Sequence, residues 1–404
     1  MIRHKCSVYQ LSVCCVAREV RCLENTTFYF AFCLVSLYFL QEMLSNKEFF
    51  FLYTSVFLCL LIISNHLLYI IWTSDLNIDS SFDLETFSLN QSTTPAKNKI
   101  SRMFNLTPML NNSERFHEEL GEYVIFLIIT KPPFRLQHRF VCCLESLVAL
   151  NPETSIVILT VGPYEKFGLK GNEAFDELMQ NSTNLYLSSV DVSEVIRDTV
   201  LEKFVGSNIQ NGVLRKPAHL SDFLRMCLLW KLGGAYIDLD LLIIKNLSPI
   251  LKLKNFLTCD DDAHLNNAFF GFEKHSPFLM KFMETARRKF DKNDYPSVVK
   301  SFNIAFEEAF DMTIEEAVKR RHINGLIHVL DHFVVSPARH WEYKLLFQKN
   351  NTGFYEHVIN VTYGYHTWNS NSGRDIQDVN STAPFFVAAR KFCPRSIELS
   401  GGRI

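Results

Sequence analysis

Tyr123–Thr130 reads YVIFLIIT and Ser155–Val161 reads SIVILTV, with no charged residue in either run. Side chains alternate between the two faces of a strand, so runs like these leave no face for water. Only a strand covered on both faces accommodates them, which is the situation inside a parallel sheet. Between them, Arg139–Leu150 spaces its apolar residues like a helix until Asn151-Pro152 breaks the pattern. Beyond Gly162-Pro163, Glu173–Gln180 is again amphipathic and Asn184–Val190 predicts a third strand. Strands alternating with helices predict βαβ units, hence an α/β fold with a mostly parallel sheet under helices. Ligands of such sheets collect at the carboxyl ends of the strands.

Upstream lies a different texture. Phe49–Trp72 (FFFLYTSVFLCLLIISNHLLYIIW) carries no charge. As a helix it would rise about 36 Å, enough to cross a hydrocarbon core of roughly 30 Å. A second apolar run, Thr27–Leu40, is too short to span and lacks a small-x-small cleavage site. Met43 directly precedes the long run, so residues 1–42 read as an extension of the gene model. Lys47, Arg3, Lys5, Arg18 and Arg21 precede the span, whereas residues 73–96 have no Lys or Arg before Lys97. The positive-inside rule puts residues 1–48 in the cytosol, 49–72 in the membrane as a signal anchor and the rest in a lumen. Eight N-x-S/T acceptors (Asn90, Asn105, Asn111, Asn181, Asn246, Asn350, Asn360 and Asn380) follow the span, as a lumenal chain would carry. A multi-pass arrangement using both apolar runs would instead place residue 100 onward in the cytosol. Residues 73–120, rich in Ser, Thr, Asn and Asp, read as a stem, and 121–404 as the folded domain.

The chain has 41 Lys+Arg against 43 Asp+Glu and no basic stripe, which argues against nucleic acid as a partner. Cys142, Cys143, Cys227, Cys259 and Cys393 follow the span. An odd number leaves at least one thiol unpaired, and no C-x-x-C is present.

The stretch His219–Leu247 concentrates the chemistry. Ser221 is placed to cap a helix that Gly233-Gly234 ends, and Ala235-Tyr236-Ile237 begins a strand. Asp238 and Asp240, at i and i+2, project to one side. Two desolvated carboxylates at one locus are costly unless a cation or donors compensate, and hard oxygen ligands suit magnesium or manganese, which keep positions for phosphate. Asp222 and Arg225, at i and i+3, meet on one helix face. Taken alone they read as a surface ion pair; beside the Asp pair, Arg225 would hold an anion or orient a carboxylate. Asp260-Asp261-Asp262 reads as an exposed loop that would flank a bound sugar, and His328 and His332 read as structural.

The series S-D-x-x-R, then G-G-x-Y-x-D-x-D, resembles the donor-binding signature of glycosyltransferase family 32, matched by Ser221, Asp222, Arg225, Gly233, Gly234, Tyr236, Asp238 and Asp240. Cys143–Ser146, Asn151–Glu153, Asn267–Phe269, Phe272-Glu273 with His275, Tyr365–Asn369 and Cys393-Pro394 are similar to its α1,4-glycosyltransferase subfamily. The resemblance covers residues 121–400. It implies a GT-A fold, a UDP-sugar donor (galactose or N-acetylgalactosamine) and Mn2+ at the D-x-D. It also implies transfer with retention to a glycosphingolipid acceptor, by a type II Golgi membrane enzyme able to associate with other Golgi transferases. By position, Asp240 would bind the metal directly and Asp238 the ribose or metal. Asp222 and Arg225 would touch donor sugar or pyrophosphate, with Ser221 and Tyr236 in the donor site. His366 and Trp368 would close over the diphosphate. Asp294–Ala309 departs from the subfamily's Gly/Gln/Pro-rich pattern, which leaves donor and acceptor choice open. An alternative is a catalytically silent lumenal protein that keeps the fold for glycan binding or partnering.

Overall fold

A computed structural model describes residues 103–404 apart from 131–135, 168, 170–171, 215–216, 295–296 and 374–376. The expected leader, membrane anchor and residues 73–102 of the expected stem lie outside the described residues. The chain divides into units 1–94 and 95–404, and the account below concerns the second. Among the described residues no helix is long and apolar enough to cross a membrane.

The centre is a nine-stranded sheet ordered β1-β4-β3-β2-β5-β8-β7-β10-β9. Its strands are β1 (Met103–Asn105), β2 (Val124–Ile129), β3 (Ser155–Val161), β4 (Leu185–Val190), β5 (Gly234–Ile237), β7 (Phe256–Cys259), β8 (Leu265–Phe272), β9 (His322–Ile323) and β10 (Ile327–Leu330). Strands β1 to β5 pair in parallel, β8 runs antiparallel between β5 and β7, and β10 resumes parallel to β7. The expected α/β class and the first three expected strands are therefore present.

All six residues of β2 are buried, and they divide between two cores. Val124, Phe126 and Ile128 join the cluster under the helix Pro217–Leu232, whereas Ile125, Leu127 and Ile129 join the one around the helix His138–Leu150. This two-sided cover is what the continuous apolar run required.

Two expectations fail. Residues 103–120, assigned to a stem, belong to the folded unit: β1 pairs with β4, and the helix Ser113–Leu120 buries Phe116 against Phe126. A three-residue edge strand and a short polar helix carry too little hydrophobic periodicity to stand out. Ser221 caps nothing, because its helix starts a turn earlier at Pro217, where a fixed φ and a missing N–H cost little. Its hydroxyl accepts from Arg225 instead.

A small second sheet carries the C-terminal segment to the main one. Strand β6 (Leu241–Ile243) pairs antiparallel with β11 (Gly364–His366), placing His366 opposite Leu241. Beneath it, Leu242, Ile244 and Tyr365 share a third core with Phe385, Phe386 and Cys393. A Cys142–Cys393 disulfide ties this layer to the helix His138–Leu150, and Cys143, Cys227 and Cys259 are buried free thiols.

Candidate active site

Gly233 and Gly234, at φ +73 and +102, turn the chain from the helix Pro217–Leu232 into β5. At Gly234 a Cβ would stand 2.7 Å from the Val124 carbonyl oxygen, so only glycine lets β5 lie this close to β2. Strand β5 ends at Ile237, so Asp238 and Asp240 sit in the turn between it and β6 and not on a strand, which corrects the expectation drawn from their i, i+2 spacing. The turn still brings them together at the carboxyl end of β5. The Asp238 amide donates to the Ala268 carbonyl (2.8 Å), and the Asp240 carbonyl accepts from the Thr367 amide (2.9 Å) and hydroxyl (3.0 Å).

Strand β11 then delivers His366. One ligand atom from each of Asp238, Asp240 and His366 lies within 4.8 Å of the others, with His366 Nε2 3.4 Å from Asp240 Oδ1. The other Asp240 oxygen accepts from the Asn369 amide (2.8 Å). Trp368 adopts a left-handed backbone conformation (φ 51°), stacks on the His366 ring at 3.8 Å between centroids, and donates its indole N–H to the Ala338 carbonyl (2.7 Å). Ser372 closes this turn by donating to Thr367 O, and buried Arg139 donates to both the carbonyl (3.1 Å) and hydroxyl (2.9 Å) of Ser372.

On the opposite flank stands Arg225, 5% exposed. Its guanidinium lies 3.3 Å from Asp222 and 3.4 Å from Asp238, and 4.0 Å above the Tyr236 ring. It donates to Ser221 Oγ (3.0 Å) and to the Asn267 carbonyl (2.6 Å). Asn267 donates to Asp222 (2.8 Å) and Tyr236 to Asp238 (2.5 Å). The expected residues Ser221, Asp222, Arg225, Tyr236, Asp238, Asp240, His366 and Trp368 thus form one connected cluster. Arg139 is a structural member with no motif to announce it, whereas Asn267 and Asn369 lie in segments similar to the subfamily but carried no assigned role.

Burial pushes the Asp238 carboxyl up, more than Arg225 pulls it down. At Asp240 burial is outweighed by His366 and the Asn369 amide, which hold the carboxyl below its usual range. Burial alone would lower His366, but Asp240, Asp238 and Asp260 hold it above the usual imidazole range. Asp260, at the end of β7, is pushed up to about 7 chiefly by burial, and its buried Oδ1 has no hydrogen-bond partner. Its neighbours differ from it: Asp261 pairs with His264, and the exposed Asp262 meets Arg339 (3.1 Å) and His332 (3.4 Å). His328 lies on β10, its Nδ1 3.3 Å from that of His322 across the β9–β10 pair. It is not part of the site.

Asp222 and Asp238 therefore share one permanent cation, Arg225, while Asp240 and Asp260 have only the His366 side of the site. That charge deficit, with two carboxylates and an imidazole converging, fits a divalent metal ion of the magnesium or manganese kind.

Residues 137–257 match the glycosyltransferase sugar-binding region containing a DXD motif, and residues 271–400 match the alpha 1,4-glycosyltransferase conserved region. The chain belongs to the α1,4-glycosyltransferases of glycosyltransferase family 32. It is a hexosyltransferase by that membership. The lactosylceramide 4-alpha-galactosyltransferase of Mus musculus is 24% identical over 274 residues, covering 67% of this chain and 74% of the relative. The alpha-1,4-N-acetylglucosaminyltransferase of Homo sapiens is 26% identical over 269 residues, covering 64% and 75%. Among solved structures, the galactosyltransferase LgtC with donor and acceptor sugar analogues aligns with 69% of this chain and 96% of its own at 13% identity and a TM-score of 0.32. Within this family the sugar-binding match ends at β7, so the D-x-D half of the site and the His366 half come from different conserved regions.

Proposed function

We propose that this family member is a retaining α1,4-glycosyltransferase of the GT-A kind that moves galactose or N-acetylgalactosamine from a UDP-sugar to a glycosphingolipid. The observation that carries the proposal is the convergence of Asp238, Asp240 and His366 at the carboxyl end of β5, where α/β sheets hold their ligands. These three residues would hold Mn2+, which supplies neutralisation of the leaving diphosphate when bound.

The chain's own residues supply the rest. Arg225 offsets part of the burial that pushes the Asp238 and Asp222 carboxyls up, and holds both in place before substrate arrives. Asp222, reached by Arg225 and Asn267, faces the donor sugar. The His366–Trp368 stack walls off the diphosphate side from water. The names of the relatives point to an α1,4 linkage and a glycolipid or glycan acceptor, and Golgi residence as a type II protein accords with that reading. Exposed acceptor asparagines at 105, 111, 181, 246, 350, 360 and 380 support a lumenal setting for the domain.

The test is a panel of UDP-sugars with Mn2+ and a set of glycosphingolipids, using the full chain in detergent. Transfer of one hexose, lost in EDTA and restored by Mn2+, is the expected result. Full activity in EDTA or in Asp240→Asn would remove the metal role. No transfer from any donor, with UDP still bound, would favour the catalytically silent alternative.

A further inference from the structure

The segment Ala338–Trp341 forms a rim beside the metal-binding turn and is fastened on both sides. Trp368 donates to the Ala338 carbonyl at 2.7 Å, and Asn371 donates its side-chain amide to the His340 carbonyl at 3.2 Å. On the other side Arg339 reaches Asp262, two residues beyond Asp260. The rings continue outward from the site: Trp368, stacked on His366, meets His340 at 5.9 Å, and His340 meets Trp341 edge-on at 4.6 Å. Trp341 ends this series 54% exposed. Large hydrophobic side chains at that level of exposure are few among the described residues, and the other two, Ile209 and Leu326, are not aromatic.

An indole left in water at the edge of a sugar-transfer site, with its segment's backbone held by two side-chain hydrogen bonds and an ion pair, is a ready-made flat surface. From this geometry we infer that Trp341 is the acceptor platform, packing against the apolar face of the terminal pyranose of the acceptor. This rests on the proposed transferase reading and adds the acceptor side to it. A β-galactoside suits the surface. Its H3, H4 and H5 make one face of the ring apolar, and the axial O4 projects from the other. Seated on Trp341, such a sugar keeps the hydroxyl required for a 1,4-linkage free of the indole. Burying an aromatic face against C–H groups also orients the nucleophile, which a solvated loop would not do. The Arg339 guanidinium, 5.7 Å from the indole centroid, adds a cation contact to the ring.

The test uses the full chain in detergent with Trp341→Ala and Trp341→Phe. Transfer to lactose or a short-chain lactoside is measured beside acceptor-independent UDP-sugar hydrolysis. Expected for Trp341→Ala is a rise in acceptor KM of about tenfold or more, with donor KM and hydrolysis changed less than about twofold and Trp341→Phe recovering most of the loss. An unchanged acceptor KM overturns the inference, as does an equal fall in transfer and hydrolysis. If the variant loses vesicle binding but keeps its KM for soluble lactoside, the indole contacts lipid and the inference is wrong. A second readout needs no turnover: lactose added to the UDP–Mn2+ form should shift the tryptophan emission of the wild type and not of Trp341→Phe. That shift in a protein that transfers nothing would sustain the platform while sinking the transferase reading. Its absence would count against the platform itself.

Discussion

Arg225→Met removes the one permanent cation among the buried carboxylates without emptying the space it fills. The guanidinium serves Asp222 at 3.3 Å and Asp238 at 3.4 Å, with side-chain exposures of 10% and 28%. It also satisfies the Asn267 carbonyl and Ser221 hydroxyl. Removing one partner of a buried pair costs about 3–5 kcal/mol, because the remaining charge stays desolvated. For a unit of this size that corresponds to a fall in Tm of roughly 6–20 °C, at about 2–4 °C per kcal/mol. The penalty belongs to the abandoned carboxylates, so neutralising one should return part of it. Asp222→Asn combined with Arg225→Met should regain about 1–3 kcal/mol of the single variant's loss. The assay is thermal unfolding of the full chain in detergent by tryptophan emission, run at one heating rate since unfolding of such a protein need not be reversible. A loss under about 1 kcal/mol for Arg225→Met, or strict additivity in the double variant, would refute the claim that Arg225 compensates these buried carboxylates.

Gly234→Ala should cost several kcal/mol, about 1–2 from the positive φ and more from the 2.7 Å approach to Val124 O; circular dichroism melting checks this, and wild-type Tm would contradict it. Cys142→Ala with Cys393→Ala opens a link spanning 251 residues and should lower stability by about 2–5 kcal/mol; urea titration of the double variant reads it. The pH dependence of Mn2+ binding, followed by the electron paramagnetic resonance of free Mn2+, has a definite sign. Asp238 and His366 both have raised pKa values, so both take up protons early as pH falls and metal must displace them. Affinity should drop steadily between about pH 7 and about pH 5.5. His366→Gln should flatten part of that slope, and an unaltered slope would exclude His366 as a ligand.

How far the chain could be read without its fold depended on how local each signal was. YVIFLIIT announced a strand covered on both faces because six or eight consecutive residues carry that message unaided, and the two cores sharing β2 are its consequence. The D-x-D half of the site was legible for a similar reason: the helix, the two glycines, β5 and both aspartates are contiguous. Even there the spacing misled in detail, since Asp238 and Asp240 share a side through a turn and not through strand alternation. Ser221 was misread because a serine four residues into a helix resembles a cap when the proline before it is overlooked. The other half of the site was legible only through the resemblance of Tyr365–Asn369 to the subfamily, with nothing local to say what it meets. Asn369 donates to Asp240 across 129 residues, and only the pairing of β6 with β11 explains how His366 arrives. A longer stretch, 233 residues, separates Arg139 from Ser372, whose turn presents that amide.

This division has a physical consequence. The C-terminal segment cannot place its part of the Asp238–Asp240–His366 cluster by its own propensity, because β11 is three residues long and Trp368 beyond it is held in a left-handed conformation. Its position must be imposed from outside, and the helix His138–Leu150 imposes it twice. Arg139 grips the turn after Trp368, and Cys142 is bonded to Cys393 at the far end of the same layer. Glu145, one turn further along, accepts from the backbone amides of Arg395 (3.1 Å) and Ser396 (2.7 Å) and anchors the last helix. One face of one helix therefore fixes both the C-terminal layer and, through Ser146, which accepts from the Ile243 amide at 3.1 Å, the strand that β11 must join. A change on that face should loosen His366 and Asn369 together while leaving Asp238 and Arg225 in place, so metal affinity should fall before stability of the main sheet does.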